Sequence, residues 1–145
     1  MASKRMIAND IVGSDAFTGM SVSAQALYMQ ILMNADDDGF CDNANKLAIL
    51  INAKKNAINE LFDRGFIIGF AERRGLVVVK HWLMHNTIRT ERYKVTNYVE
   101  FARQLEIKPN KSYTKSGEML LDEFDDSGNV PWRPLNQKND GEWVP

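Results

Sequence analysis

Gly65 divides the first eighty residues into two kinds of sequence. Before it, apolar residues recur every three or four positions; after it, they come in short unbroken runs. Ala24, Leu27, Tyr28, Ile31, Leu32 and Ala35 fall on one face of a helix, with Ser21 or Ser23 placed to cap its start. Asp36-Asp37-Asp38-Gly39 then supplies turn chemistry. A second helix is predicted after Asp42 or Asn43, carrying Ala44, Leu47, Ala48 and Ile51 on one face. Asn52 offers a cap for a third, with Ala57, Ile58, Leu61 and Phe62 apolar and Gly65 at the left-handed position just past its end. Beyond Gly65, Phe66–Phe70 and Leu76–Val79 are β-branched or aromatic runs that read as a hairpin. Ala71 to Gly75 would be its loop, with Arg73 and Arg74 at the tip.

Three helices followed by a hairpin is the order of a winged helix-turn-helix. The expected class is therefore α+β and mainly helical, with a three-helix bundle bearing an incidental hairpin as the alternative. A C-terminal helix is predicted over residues 87–105, where Tyr98, Phe101, Ala102 and Leu105 share a face and Pro109 ends the run. Residues 1–108 form the expected domain. Residues 109–145 read as an extended acidic tail, with Met119, Leu120, Leu121 and Phe124 as a short docking segment and Trp132 and Trp143 set among prolines. The charge follows this division: residues 1–111 hold 15 Lys and Arg against 12 Asp and Glu, whereas residues 112–145 hold 3 against 7. A mildly basic domain permits an anionic partner without requiring one.

No apolar run approaches the ~18 residues needed to span a bilayer, and the start MASKRMIAND lacks the apolar core of a secretory signal. Cys41 is the single cysteine, which rules out an internal disulfide and fits a reducing, cytoplasmic setting. Enzyme and metal chemistry find little support. His81 and His85 are spaced for one helix face, but Trp82 stands where a zincin needs glutamate, and three or four zinc ligands are not at hand. The expectation is that one or both histidines pack where the last strand leaves the hairpin and donate to backbone carbonyls. Asn34, Asp36, Asp38 and Gly39 match part of a calcium loop, yet Asn45 replaces its bidentate glutamate. No nucleophile elbow or phosphate loop is present. No metal and no cofactor is expected.

DNA chemistry fits better. On the third helix Asn56, Asn59, Glu60 and Asp63 point away from the apolar stripe, with Lys55 on its flank. Lys54, Lys55, Asn56 and Asn59 are thus candidate base readers, since Asn pairs with adenine and Lys with guanine or phosphate. Glu60 and Asp63 argue for a merely solvated face. Arg73 and Arg74 are candidate phosphate contacts, as are Arg89, Arg92 and Lys94 in the strap that follows the histidines.

Ser14-Asp15-Ala16-Phe17, Ser23-Ala24-Gln25-Ala26-Leu27-Tyr28, Asn34-Ala35-Asp36-Asp37-Asp38-Gly39-Phe40, Lys80-His81-Trp82, His85-Asn86, Ile88-Arg89 and Arg92-Tyr93-Lys94 form a long ordered string. Over Lys4 to Glu100 it resembles the N-terminal domain of phage replisome organiser proteins, the replication initiators of phages and prophages of Gram-positive bacteria. The resemblance implies a winged helix, binding to repeated double-stranded sites in a phage origin, and action in the bacterial cytoplasm. Larger members carry a C-terminal region that helps recruit the helicase or its loader, so the tail is a candidate for that contact. A homo-oligomer is compatible with repeated sites. Two departures stand out: Lys54 to Asn59 is unlike other members, and the chain reaches only Pro145, too short for a full recruiting domain. A protein-binding module that inhibits a host factor, or a phage transcriptional regulator, are the competing readings.

Overall fold

The change of period at Gly65 falls at the junction between a helical half and a sheet in the computed structural model, which describes residues 3–115. Two short helices, α1 (Asn9–Val12) and α2 (Asp15–Thr18), lead into α3 (Val22–Asn34). Ser21 is the cap of α3: its Oγ accepts from Ala24 N–H. Ala24, Leu27, Tyr28, Ile31 and Leu32 are fully buried along one face, and Tyr28 meets Phe17 and Phe66 edge-on at 5.3 and 5.6 Å.

The second and third helices are α4 (Ala44–Leu50) and α5 (Ala57–Asp63). Asn52 does not cap the third helix, which starts later than the sequence predicts. It stands at φ 58°, closing α4 instead: Asn52 N–H donates to Ile49 O and Ala53 N–H to Ala48 O. That pair of bonds is a Schellman motif, which needs a left-handed residue, whereas an N-cap needs an extended one. Lys54 and Lys55 therefore lie in the turn before α5, and Asn56 is the residue preceding its first turn. The end of α5 is as expected: Gly65, at φ 78°, donates to Phe62 O and Phe66 to Leu61 O.

The hairpin consists of β2 (Ile67–Phe70) and β3 (Arg73–Val79), with Ile67 opposite Val79 and Gly69 opposite Val77. Its loop is shorter than predicted. Phe70 pairs with Arg73, so only Ala71 and Glu72 connect the strands, and Arg73 and Arg74 belong to β3. The register breaks between Gly69 and Phe70, and Gly75 at φ 87° takes up the extra residues opposite that step. A third strand, β1 (Phe40–Cys41), pairs antiparallel with β3 on its other edge, giving the order β1-β3-β2. As the central strand, β3 buries Leu76 to Val79 without alternation.

After β3 the chain makes α6 (Trp82–His85), a long irregular passage, α7 (Val99–Ala102), and a second hairpin of β4 (Leu105–Ile107) and β5 (Tyr113–Lys115). The helix predicted over 87–105 is thus reduced to one turn. Tyr93, Lys94 and Thr96 spend their donors on carboxylates of residues 36–38, and such side-chain anchors compete with helix formation. The β4–β5 hairpin crosses the boundary expected at residue 108, and Tyr113 is wholly buried. The described residues form an α+β fold with seven helices and two antiparallel sheets. No described helix is long and apolar enough to cross a membrane. The tail beyond Lys115, with its docking segment, lies outside the described residues.

Two glycines offer a controlled comparison. A Cβ on Gly39 (φ 93°) would sit 2.7 Å from the Trp82 ring, whereas one on Gly65 (φ 78°) meets nothing within 4 Å. Gly65→Ala is expected to cost about 1 kcal/mol of backbone strain, and Gly39→Ala about 3 kcal/mol or more because the clash adds to it. Urea denaturation of both variants checks the order; equal losses would contradict it.

Candidate nucleic-acid interface

Asp36, Asp37 and Asp38 follow directly on α3, and their donors come from distant parts of the chain. Asp36 Oδ1 accepts from the N–H groups of Asp38 and Phe40, and Oδ2 from Thr96 Oγ1. Asp37 Oδ1 lies 3.0 Å from Arg5 Nη1, and Oδ2 accepts from Lys94 N–H. Asp38 takes Tyr93 Oη on both oxygens, at 2.7 and 2.8 Å, and Thr96 N–H on one. These lone pairs are committed to protein donors, which is a different use from the calcium loop the spacing half matches. Burial pushes Asp38 up to about 6 even though the Tyr93 and Thr96 bonds favour its charged form.

This turn builds a cleft of about 950 Å³ between the N-terminal segment, residues 3–6, and residues 86–97. Arg89, Arg92 and Lys94 all line it, joined by Lys4 and Arg5, against Asp36 and Asp37 as the acids. Sequence reasoning missed Lys4 and Arg5 because they belong to no periodic segment. Arg5 is structural: its guanidinium also donates to Ala35 O at 2.8 Å and lies 5.0 Å over the Trp82 ring. By contrast Lys4, Arg89, Arg92 and Lys94 are exposed, and their side chains make no ion pair with any described residue. Arg5 Nε and Asn86 Nδ2 are buried donors without an acceptor among the described residues.

The remaining candidates lie elsewhere. Lys54, Lys55, Asn56 and Asn59 are exposed at the α4–α5 turn and the start of α5. The other end of α3 holds them in place: Lys54 N–H donates to Ser23 Oγ, and Ser21 donates from N–H and Oγ to the two Glu60 oxygens at 2.8 and 2.7 Å. Glu60 is therefore tied to the start of α3, where those bonds hold its carboxyl below the usual range. Only Asp63 remains as an exposed acid on the described face of α5. Arg73 and Arg74 are exposed, but Arg73 rests 4.9 Å over the Tyr98 ring, and Tyr98 Oη donates to Asp42 at 2.6 Å. The nine candidate residues thus occupy three places.

Comparison with protein-family models, curated proteins and solved structures finds no match. The site is left to be read from its own chemistry.

The histidines divide in role. His85 Nδ1 accepts from Ala8 N–H at 2.9 Å, so the neutral ring carries its proton on Nε2 and donates it to Tyr28 Oη at 2.7 Å. It pins the N-terminal segment by accepting from the backbone, where donation to a carbonyl was expected. Asn86 Oδ1 adds a bond from Met6 N–H. His81 Nδ1 is buried without a partner among the described residues. Burial pushes both rings down to about 4 from the usual 6.5. Between those values the unfolded chain binds protons that the folded chain refuses, so acidification through that window lowers stability. Asp38 acts oppositely, gaining a proton on folding between about 6 and 3.8. Followed by NMR, both imidazoles are expected to hold neutral shifts from pH 7.5 to about 5.5 and to titrate near 4; a midpoint near 6.5 for His85 would break the assignment.

Proposed function

We propose that this chain is a non-enzymatic, winged-helix double-stranded DNA-binding protein of phage or prophage origin type, acting in replication initiation in the bacterial cytoplasm. The observation that carries the reading is topological. The succession α3-β1-α4-α5-β2-β3, with sheet order β1-β3-β2, supports a winged helix-turn-helix reading, in which the exposed Lys54, Lys55, Asn56 and Asn59 would be the residues that meet a major groove. The commitment of Glu60 to Ser21 supports it further, because it takes one acid off the face that would approach phosphate. Arg74, exposed at the start of β3, suits a flanking phosphate, and Arg73 can add to it if it leaves Tyr98. The acidic tail is the natural candidate for contact with a helicase or its loader.

A protein-binding module is the second reading, and one observation favours it. Ile49 and Leu50, at the end of α4, are 79% and 68% exposed, and Val22 beside Ser23 is 81% exposed.

Selection from a random duplex pool, followed by salt titration, separates the two. DNA reading predicts enrichment of a motif and an affinity that falls steeply with salt. Lys54→Gln with Lys55→Gln should weaken every sequence and lower the log–log salt slope by about two. Asn56→Ala should cost about 1–3 kcal/mol on the selected motif alone. An affinity indifferent to salt, with a stable complex captured from host lysate and lost in Leu50→Glu, supports the protein-binding module instead.

A further inference from the structure

The cleft and the α4–α5 turn sit at opposite ends of one helix. Ser21 and Ser23 hold Glu60 and Lys54 at the start of α3, while Ala35 to Asp37, directly after its end, hold Arg5 and Lys94 beside the cleft. Thirteen helical residues at ~1.5 Å each put about 20 Å between the two. We propose that the cleft is a second nucleic-acid site, separate from the duplex-reading turn, which takes a short stretch of single strand by its phosphates. It rests on the preceding reading only in taking nucleic acid as the partner.

Three observations point this way. The first is an imbalance of charge. Five cations line the cleft against two carboxylates, and both carboxylates are already bonded, Asp37 to Arg5 and Asp36 to Thr96. Lys4, Arg89, Arg92 and Lys94 are left without ion pairs among the described residues. Such a group attracts counterions, and a polyanion that displaces them gains their release.

The second is an imbalance of hydrogen bonding. Arg5 Nε and Asn86 Nδ2 belong to residues that line the cleft and are buried in its wall as donors without an acceptor among the described residues. These buried donors add positive potential behind the cationic rim, which suits a ligand that offers acceptors only, as phosphodiester oxygens do.

The third is shape. About 950 Å³ is at the upper end of the ~300–1,000 Å³ of small-ligand pockets, room for a few nucleotides, whereas a duplex could lie only across the mouth. No aromatic side chain lines it among the described residues. Bases therefore find no stacking platform here, and the grip falls on the backbone, with little sequence preference and a strong salt dependence. A protein that holds duplex at one end and a single strand at the other is equipped for DNA in which the strands have begun to part.

The test uses the full chain, labelled oligo(dT) of about twelve nucleotides, a blunt duplex of the same strand length, and sodium triphosphate. Lys4→Gln, Arg89→Gln and Arg92→Gln are combined in one variant; all three side chains are exposed, so its melting temperature should match the parent. This variant is expected to bind oligo(dT) about tenfold or more weakly and to lose about two from the salt slope, at ~0.7 per contact, while duplex affinity holds within about threefold. Lys54→Gln with Lys55→Gln should do the reverse. Loss of oligo(dT) and duplex binding by the same factor in the cleft variant, or unchanged oligo(dT) binding, overturns the inference. So does triphosphate binding as tightly as oligo(dT), which would make the cleft a small-anion site. Failure of the preceding reading shows separately, as duplex affinity that the Lys54 and Lys55 changes leave untouched.

Discussion

Three adjacent carboxylates after α3 hold together segments that lie far apart in the chain. Asp37 takes Arg5 from the N-terminal segment, Asp36 and Asp38 take Thr96, and Asp38 takes Tyr93. The backbone of the same turn accepts Trp82 Nε1 at Asp37 O and Tyr113 Oη at Asp38 O, both at 2.9 Å. Gly39 lets the turn close against the Trp82 ring, where no side chain fits. Like charges so near one another are costly, and Arg5 is the only cation that the described residues pair with them. The hydrogen bonds offset that cost. Removing Thr96 Oγ1 or the Arg5 guanidinium takes from Asp36 Oδ2 or Asp37 Oδ1 the donor it has among the described residues, at a cost in stability.

The cleft follows from this arrangement. Because the passage 86–97 is fastened by its backbone and by Tyr93 and Thr96, its cationic side chains are free to face outward. The N-terminal segment is fastened opposite by His85, Asn86 and Asp37, which leaves Lys4 in the same position. Acids inside and cations outside are two aspects of one design: the carboxylates order the chain, and the cations without ion pairs among the described residues stay at the surface. At the far end of α3 the same logic recurs on a smaller scale, where Ser21 binds Glu60 and Ser23 binds Lys54 and the lysine side chains remain outside.

Much of the first eighty residues was legible in the sequence. The face of α3, its serine cap, the left-handed Gly65 and the two strands around it follow from period and propensity alone, because each depends on neighbours a few positions away. The errors have a common cause. Asn52 carries signals for both a helix start and a helix end, and the hydrogen bonds to Ala48 and Ile49 decided for the end. Arg73 and Arg74 looked like loop residues because the bulge at Gly75 is invisible without the partner strand. The helix predicted over 87–105 drew its pattern from Tyr98 to Leu105, and ahead of it the donors of Lys94 and Thr96 found carboxylates about sixty positions earlier. The two-residue strand β1 is too short to show any period.

The sequence by itself determined the local elements and the kinds of group available: apolar faces, a run of acids, a cationic strap, two histidines four positions apart. Tertiary structure decided how they are used. It turned the acids into a fastening, gave His85 an N-terminal amide to hold, took Glu60 out of play, and drew Lys4 to the side of Arg89 and Arg92. Partners in these contacts lie 39 to 80 residues apart in several cases. No local pattern encodes such a pairing, because a donor's energy depends on which acceptor the folded chain brings to it and on whether water has been excluded from between them.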